Sequence, residues 1–231
     1  MLDSRAVTFE FQADGTNRTE QVTVDHLVIA GWTGRDEEAV EKHIAELEAI
    51  GVQRPPSTPC FYRMTAGLET TDDEIEVLGS NSSGEVEYFL LAHDGRLWVG
   101  VGSDHTDRKL ETLDVTMSKQ VCAKPVSSEV WALDDVREHW DELILRSYAC
   151  EGSSRQLYQE GTLSNMLTPD SLIDRYTGDD GLAPGTLMFC GTFAVIGEMR
   201  GAARFEMEIE DPVLGRKIAH GYNVTTLPHS G

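Results

Sequence analysis

The chain has 231 residues, enough for one domain with a real core, and its hydrophobic (40%) and charged (26%) fractions are those of a globular protein. Its formal net charge of -21 repels phosphate backbones, which argues against nucleic acid as a partner. No apolar run approaches the length needed to span a bilayer, and the opening Met1-Leu2-Asp3-Ser4-Arg5 lacks the pattern of a secretory signal, so the expected setting is the cytoplasm with no membrane partner.

Along the chain, Val7, Phe9 and Phe11 alternate, Asp14-Gly15 is a turn signal, and Val22 and Val24 alternate again, which predicts a hairpin. The run Leu27 to Gly31 predicts a buried strand. A helix follows, capped by Asp36, with Glu37 and Glu38 in its first turn, a stop at Gly51, and Val40, Ile44 and Leu47 on one stripe. Arg54 to Pro59 contains three prolines and is read as an extended loop. Strands are predicted around Ile75 and Val77, over Val86 to Leu91 and over Leu97 to Val101, the last two joined by an Asp94-Gly95 turn. Short helices are predicted for Asp134 to Leu145 and Pro169 to Tyr176, and Gly178 to Gly185 for an exposed loop. The remaining strands are Leu187 to Cys190, Ala203 to Ile209 and Ile218 to Val224. The pattern is α+β and strand-rich with few short helices, and it favours a curled mixed β-sheet over a doubly wound βαβ fold. The expected organisation is one domain over residues 1–231, with residues 1–28 as a hairpin extension packed on it.

Cys60, Cys122, Cys150 and Cys190 form no Cys-x-x-Cys pair, so they make neither a zinc framework nor a disulfide scaffold. The chemistry lies in carboxylates. Glu85-Val86-Glu87 places two acidic side chains on one face of a strand. Two such groups repel one another, and burial raises that cost, so the pair needs either open water or a cation. Asp104-His105-Thr106-Asp107-Arg108 follows the next strand, where a chain leaves a sheet and sites collect. Three converging carboxylates would form a hard oxygen site suited to magnesium or manganese.

Glu85-Val86-Glu87 resembles the Glu-x-Glu strand of the fumarylacetoacetate hydrolase superfamily, and Asp104 to Arg108 resembles its Asp-x-(Ser/Thr)-x-Arg motif. Met117-Ser118-Lys119 with Lys124-Pro125-Val126-Ser127, then Tyr158 to Met166, then Cys190-Gly191-Thr192, are similar to further family segments in the family's order. His43-Ile44-Ala45-Glu46 is similar to its catalytic His-x-x-Glu, on the helix read above. The chain departs from the pattern in a small insertion before His43, a missing helix between the acidic strand and Asp104, Arg63 where lysine is common, and Glu111 where some members have glutamine. The resemblance identifies a compact branch of that superfamily.

The resemblance implies a roll of the family's C-terminal-domain type and a homodimer. It makes Glu85, Glu87 and Asp104 the ligands of Mg2+ or Mn2+. It gives His43, Glu46 and Lys119 catalytic roles, and it places Arg108, Gln159, Thr192 and Arg63 around a small-molecule oxo-acid substrate. For Arg108 an ion pair with Asp107 or Glu111 is the alternative; for Gln159 it is a structural contact at a sheet edge. The implied activity is hydrolysis of a C–C bond in a 2-oxo acid or β-diketone, of the acylpyruvate type, through a metal-bound enolate. Decarboxylation, isomerisation or hydration on the same centre, and a non-catalytic carboxylate-binding role, are the alternatives.

Overall fold

The computed structural model describes residues 6–49 and 54–230. Strands β1 (Ala6–Ala13), β2 (Thr16–Thr23) and β3 (His26–Gly31) come first. Asp14 and Gly15 turn β1 into β2 with both φ values positive, 51° and 71°, the twist that a two-residue hairpin needs. Helix α1 (Glu37–Ala49) is capped as expected, because Asp36 Oδ1 accepts the N–H groups of Glu38 and Ala39 at 3.0 and 3.1 Å. Its stripe buries Ile44; Leu47 and the stop at Gly51 lie outside the described side chains and residues.

Strands β4 (Cys60–Met64), β5 (Glu69–Thr70), β6 (Glu74–Leu78), β7 (Ser82–Ser83), β8 (Val86–His93), β9 (Arg96–Ser103) and β10 (Thr106–Asp107) follow. Asp94 and Gly95 repeat the positive-φ turn between β8 and β9. Short helices α2 (Arg108–Glu111) and α3 (Val115–Gln120) lead to β11 (Lys124–Pro125), β12 (Glu129–Ala132) and α4 (Leu133–Val136). The rest comprises β13 (Ile144–Glu151), β14 (Ser154–Thr162), α5 (Pro169–Thr177), β15 (Thr186–Phe189), β16 (Arg204–Asp211) and β17 (Arg216–Leu227). The predicted helix over Asp134 to Leu145 is shorter: α4 gives way to a 3-10 turn and then to β13.

Two large mixed sheets carry the fold. The first has the order β2-β1-β12-β9-β8-β15-β3-β4, and the second β14-β13-β16-β17-β6. The opening hairpin is built into the first sheet, where β1 pairs in parallel with β12. Because side chains alternate along a strand, β8 feeds two cores. Val86, Tyr88 and Leu90 face the second sheet and meet Phe205, Ile209, Ile218 and Tyr222. Phe89 and Leu91 face the other way, into a cluster with Phe9, Phe11, Leu27, Trp98 and Phe189. Burying each such side chain contributes about 1.5–3 kcal/mol. Gly100 and Gly102 on β9 leave room for this second cluster, since a Cβ at either would lie 2.4 Å from Phe89 or 2.6 Å from Phe189. Among the described residues no helix is long and apolar enough to cross a membrane.

Candidate metal centre

Residues 87, 89 and 91 share a parity on β8, and 98, 100 and 102 on β9; Glu85 and Asp104, one residue beyond the ends of these strands, keep those parities. Glu85, Glu87 and Asp104 therefore continue the face that carries Phe89 and Trp98. The two strands pair antiparallel, with Val86 opposite Ser103, and the Asp104 N–H donates to Glu85 O at 3.0 Å. One carboxylate oxygen from each of the three lies within 4.8 Å of the other two. Glu87 and Asp104 are buried, and Glu85 is nearly so.

Three cations surround these acids. Lys119, on α3, makes a short ion pair with Asp104 Oδ2 and lies 3.7 Å from Glu85 Oε2. Lys124 is fully buried, 3.1 Å from Asp104 Oδ1, and donates to the main-chain oxygens of His105 and Lys119, each at 2.6 Å. Arg108 sits between Glu85 at 3.1 Å and Glu111 at 3.0 Å, and its Nε donates to Ser83 Oγ at 2.7 Å. Arg108 is thus ion-paired with Glu111, the alternative the sequence offered, and with Glu85 of the cluster. Asp107 instead caps α2, accepting the N–H groups of Lys109 and Leu110 at 2.9 Å.

Burial, then the charge of Asp104, pushes the Glu87 carboxyl well above the usual carboxylate range; Lys119 and the Gly191 N–H, 2.6 Å from Oε2, recover only part of this. Burial also pushes Asp104 up, but Lys119 and Lys124 outweigh it and hold that carboxyl below its ordinary value. Lys119 loses stability as a cation through burial, yet Asp104, Glu85 and Glu87 more than restore it, and its ammonium is held well above the usual range. Burial, then Lys124 and Arg108, depresses His105 to about 3, so this imidazole is neutral. It is fixed by Tyr222 Oη at 3.0 Å and Ser82 Oγ at 2.9 Å.

The donor set suits a hard divalent cation: three carboxylates, all oxygen, no thiolate or imidazole among the converging groups. Asp104 Oδ1 is buried and accepts no hydrogen bond among the described residues, although Lys124 faces it as an ion pair. A buried oxygen in that state is the kind a cation relieves.

The other residues singled out in the sequence have different positions. Gln159 uses all its valences within the protein: Oε1 accepts from Val86 N at 2.9 Å and Ser147 Oγ at 3.0 Å, and Nε2 donates to Thr192 Oγ1 at 2.8 Å and Phe193 O at 2.6 Å. Thr192 Oγ1 donates to Val86 O at 2.8 Å. The pair clamps the residue between the two glutamates to the turn at Gly191, so in this state both are positioning groups. That turn needs glycine: φ is 104° at Gly191, and a Cβ would meet Thr33 Oγ1 at 1.8 Å.

Arg63 does not join the cluster. It sits on β4 next to Tyr62, whose ring lies 5.9 Å from Lys119 Nζ, so the alternation of the strand sends Arg63 to the opposite face. There it donates to Leu27 O at 3.2 Å and contacts His26 Nδ1. Tyr62 is the aromatic neighbour that sequence reasoning missed; burial and Cys60 alongside push its hydroxyl up to about 12. Glu46 is exposed on α1 with Lys42 at 3.9 Å, while the His43 side chain, and so the pairing of His43 with Glu46, lies outside the described side chains.

A family model described as "Protein of unknown function (DUF2848)" matches residues 30–222. No curated protein is significantly similar in sequence. Among solved structures, the chain is similar to yeast ynq8, a fumarylacetoacetate hydrolase family protein, at 16% identity and TM-score 0.61, covering 88% of this chain and 94% of that one. It is similar to 2-keto-3-deoxyarabinonate dehydratase at 14% identity and TM-score 0.66, covering 93% and 86% of the two chains. It is also similar to Cg1458 solved with an inhibitor, at 15% identity and TM-score 0.64, covering 93% and 84%.

Proposed function

Because this chain belongs to the DUF2848 family and has the fumarylacetoacetate hydrolase fold, we propose that it is a metal-dependent enzyme acting on a small 2-oxo acid or β-diketone. The observation that carries the reading is the convergence of Glu85, Glu87 and Asp104 inside a shell of Lys119, Lys124 and Arg108. The three carboxylates would hold Mg2+ or Mn2+, and when bound the ion would polarise a substrate carbonyl and stabilise negative charge as it develops.

The protein's own groups then have distinct tasks. Arg108 Nη2 is buried and has no hydrogen-bond partner among the described residues, so it is a donor poised for a substrate carboxylate. Lys119 supplies a second positive charge beside the cluster, against an acidic protein surface. Gln159, Thr192 and Gly191 hold the main chain around Glu87 and keep the acids in register. His43 would take a proton from water, with Glu46 orienting it. The water oxygen bonds to the substrate carbonyl carbon, the adjacent C–C bond breaks, and the departing carbon receives a proton from His43. An acylpyruvate-type cleavage follows, in a cytoplasmic homodimer.

The test is calorimetric titration with Mg2+ and Mn2+, then turnover of an acylpyruvate and of oxaloacetate with and without chelator. Turnover should require metal, and His43→Ala should abolish hydrolysis while sparing metal affinity. Turnover that ignores chelator would sink the reading. Loss of metal binding in His43→Ala would make this histidine a ligand or a packing residue instead of a base.

A further inference from the structure

Glu85 is the least secured of the three acids. It stands one residue before β8, outside the ladder pairs of that strand, and its side chain is the most exposed of the three. Carboxylates this close repel one another, so a Glu85 with a loose main chain would relieve the repulsion by leaving. Two hydrogen bonds hold that main chain. Its N–H donates to Ser103 Oγ at 3.1 Å, and its carbonyl accepts the Asp104 N–H at 3.0 Å. Ser103 Oγ is itself fixed. It lies 2.8 Å from Tyr222 Oη on β17, Tyr222 Oη lies 3.0 Å from His105 Nδ1, and the ring's Nε2 lies 2.9 Å from Ser82 Oγ. All four side chains are buried. A neutral imidazole has one donor and one acceptor, so His105 serves both hydroxyls at once. Gly84 leaves the room for this, since a Cβ there would lie 2.6 Å from Tyr222 Oη and 3.1 Å from Ser103 Oγ.

We propose that His105 is a positioning residue of the metal centre, acting through Tyr222 and Ser103 to keep Glu85 converged with Glu87 and Asp104 against their mutual repulsion. This rests on the metal-centre reading above. The network joins the two acidic segments, because Ser82 lies just before Glu85 in the chain and His105 directly follows Asp104. It also fastens both segments to the second sheet through β17, so the place of Glu85 depends on a side chain remote in sequence. The Asp-x-(Ser/Thr)-x-Arg pattern leaves its second position open, and this chain fills it with a buried imidazole. Polar groups behind the ligands of a metal orient those ligands, and losing one typically costs about 10–100-fold in metal affinity.

Titration calorimetry with Mn2+ on the full chain compares wild type with Tyr222→Phe, which removes only the hydroxyl in the middle of the network. Metal affinity should fall about tenfold. Ser103→Ala should cost a similar factor, and the double variant should lose little more than either single one, because both break the same relay. A merely structural role would lower the denaturation midpoint of Tyr222→Phe and leave its Mn2+ affinity within about twofold of wild type, which overturns the proposal. Losses that add in the double variant also overturn it. If Tyr222→Phe fails to fold, His105→Leu and His105→Asn decide. The asparagine amide can take the contact of Nδ1 with Tyr222 and should recover most of the affinity that leucine loses; equal affinities in the two overturn the proposal. Absence of Mn2+ binding to wild type would instead remove the metal-centre reading itself, and this proposal with it.

Discussion

Two buried acidic sites in this molecule are built on opposite principles. Asp211, where β16 turns into β17, is a single carboxylate with an excess of donors. Its Oδ1 accepts the N–H groups of Val213 and Leu214 at 3.1 and 3.0 Å and lies 3.0 Å from His139 Nε2, while Arg216 Nε reaches Oδ2 at 3.3 Å. Burial pushes its carboxyl up, but the Leu214 N–H, His139 and Arg216 together hold it below its ordinary value. At the other site Glu87 has one main-chain donor and two neighbouring carboxylates, and its carboxyl is pushed well above. A group that needs nothing further is structural. A buried carboxylate held up by neighbouring carboxylates is the kind the proposed metal site would use.

The largest expected effect breaks the acidic cluster from the inside. Asp104→Asn leaves Lys119 and Lys124 buried without their main anion, and breaking a buried pair in this way costs about 3–5 kcal/mol. Chemical denaturation should show that loss, and calorimetry should show metal binding abolished. A stable Asp104→Asn protein with unchanged metal affinity would remove Asp104 from the centre.

Asp211→Asn sharpens the contrast. It should cost about 1–3 kcal/mol by denaturation, because Arg216 and the Val213 and Leu214 N–H groups lose a charged acceptor, while metal affinity stays as in wild type. The sign of its pH dependence follows from the depressed carboxyl. The stabilisation is fully present above the ordinary aspartate value of about 3.9 and is lost as pH falls through the lower folded value. The gap between wild type and Asp211→Asn should therefore be constant from about pH 7 to pH 5 and narrow towards about pH 3. A gap that widens on acidification would mean that Asp211 is not the ionised partner described.

The smallest effect is at Arg63. Arg63→Met should leave kcat/KM within about twofold, since the residue's hydrogen bonds lie on the far face of β4, away from the acidic cluster. A tenfold rise in KM would put this guanidinium back on the substrate.

Much of this architecture is legible in the chain. The two Asp-Gly turns, the Asp36 cap and the Glu-x-Glu strand each carry a local signal, and parity alone puts Glu85 and Glu87 on one face. The pairing of β1 with β12 has no such signal, because it joins Glu10 to Glu129 across the chain. Gln159 is named in the sequence, but its burial is hidden by a β-bulge. The register shifts between Ser147 and Tyr148, leaving Tyr158 unpaired opposite, so Tyr158 and Gln159 are both buried although they are consecutive. Lys124 is hidden for another reason: its partners are main-chain oxygens, which every residue has. Arg63 follows the resemblance rather than the strand, whose alternation places it on the face opposite Tyr62.

The built-in hairpin has a practical consequence for anyone producing this protein. The family match starts at residue 30, inside β3, while β1 and β2 lie wholly before it. A fragment trimmed to those boundaries would lose Phe9, Phe11, Leu27 and Ile29 from the cluster that packs on Phe89 and Phe189. It would strip the partners from one side of both β12 and β15 and leave their edges open to pairing between molecules. The boundary that sequence similarity draws and the boundary at which the chain can remain soluble are different boundaries, and expression should respect the second.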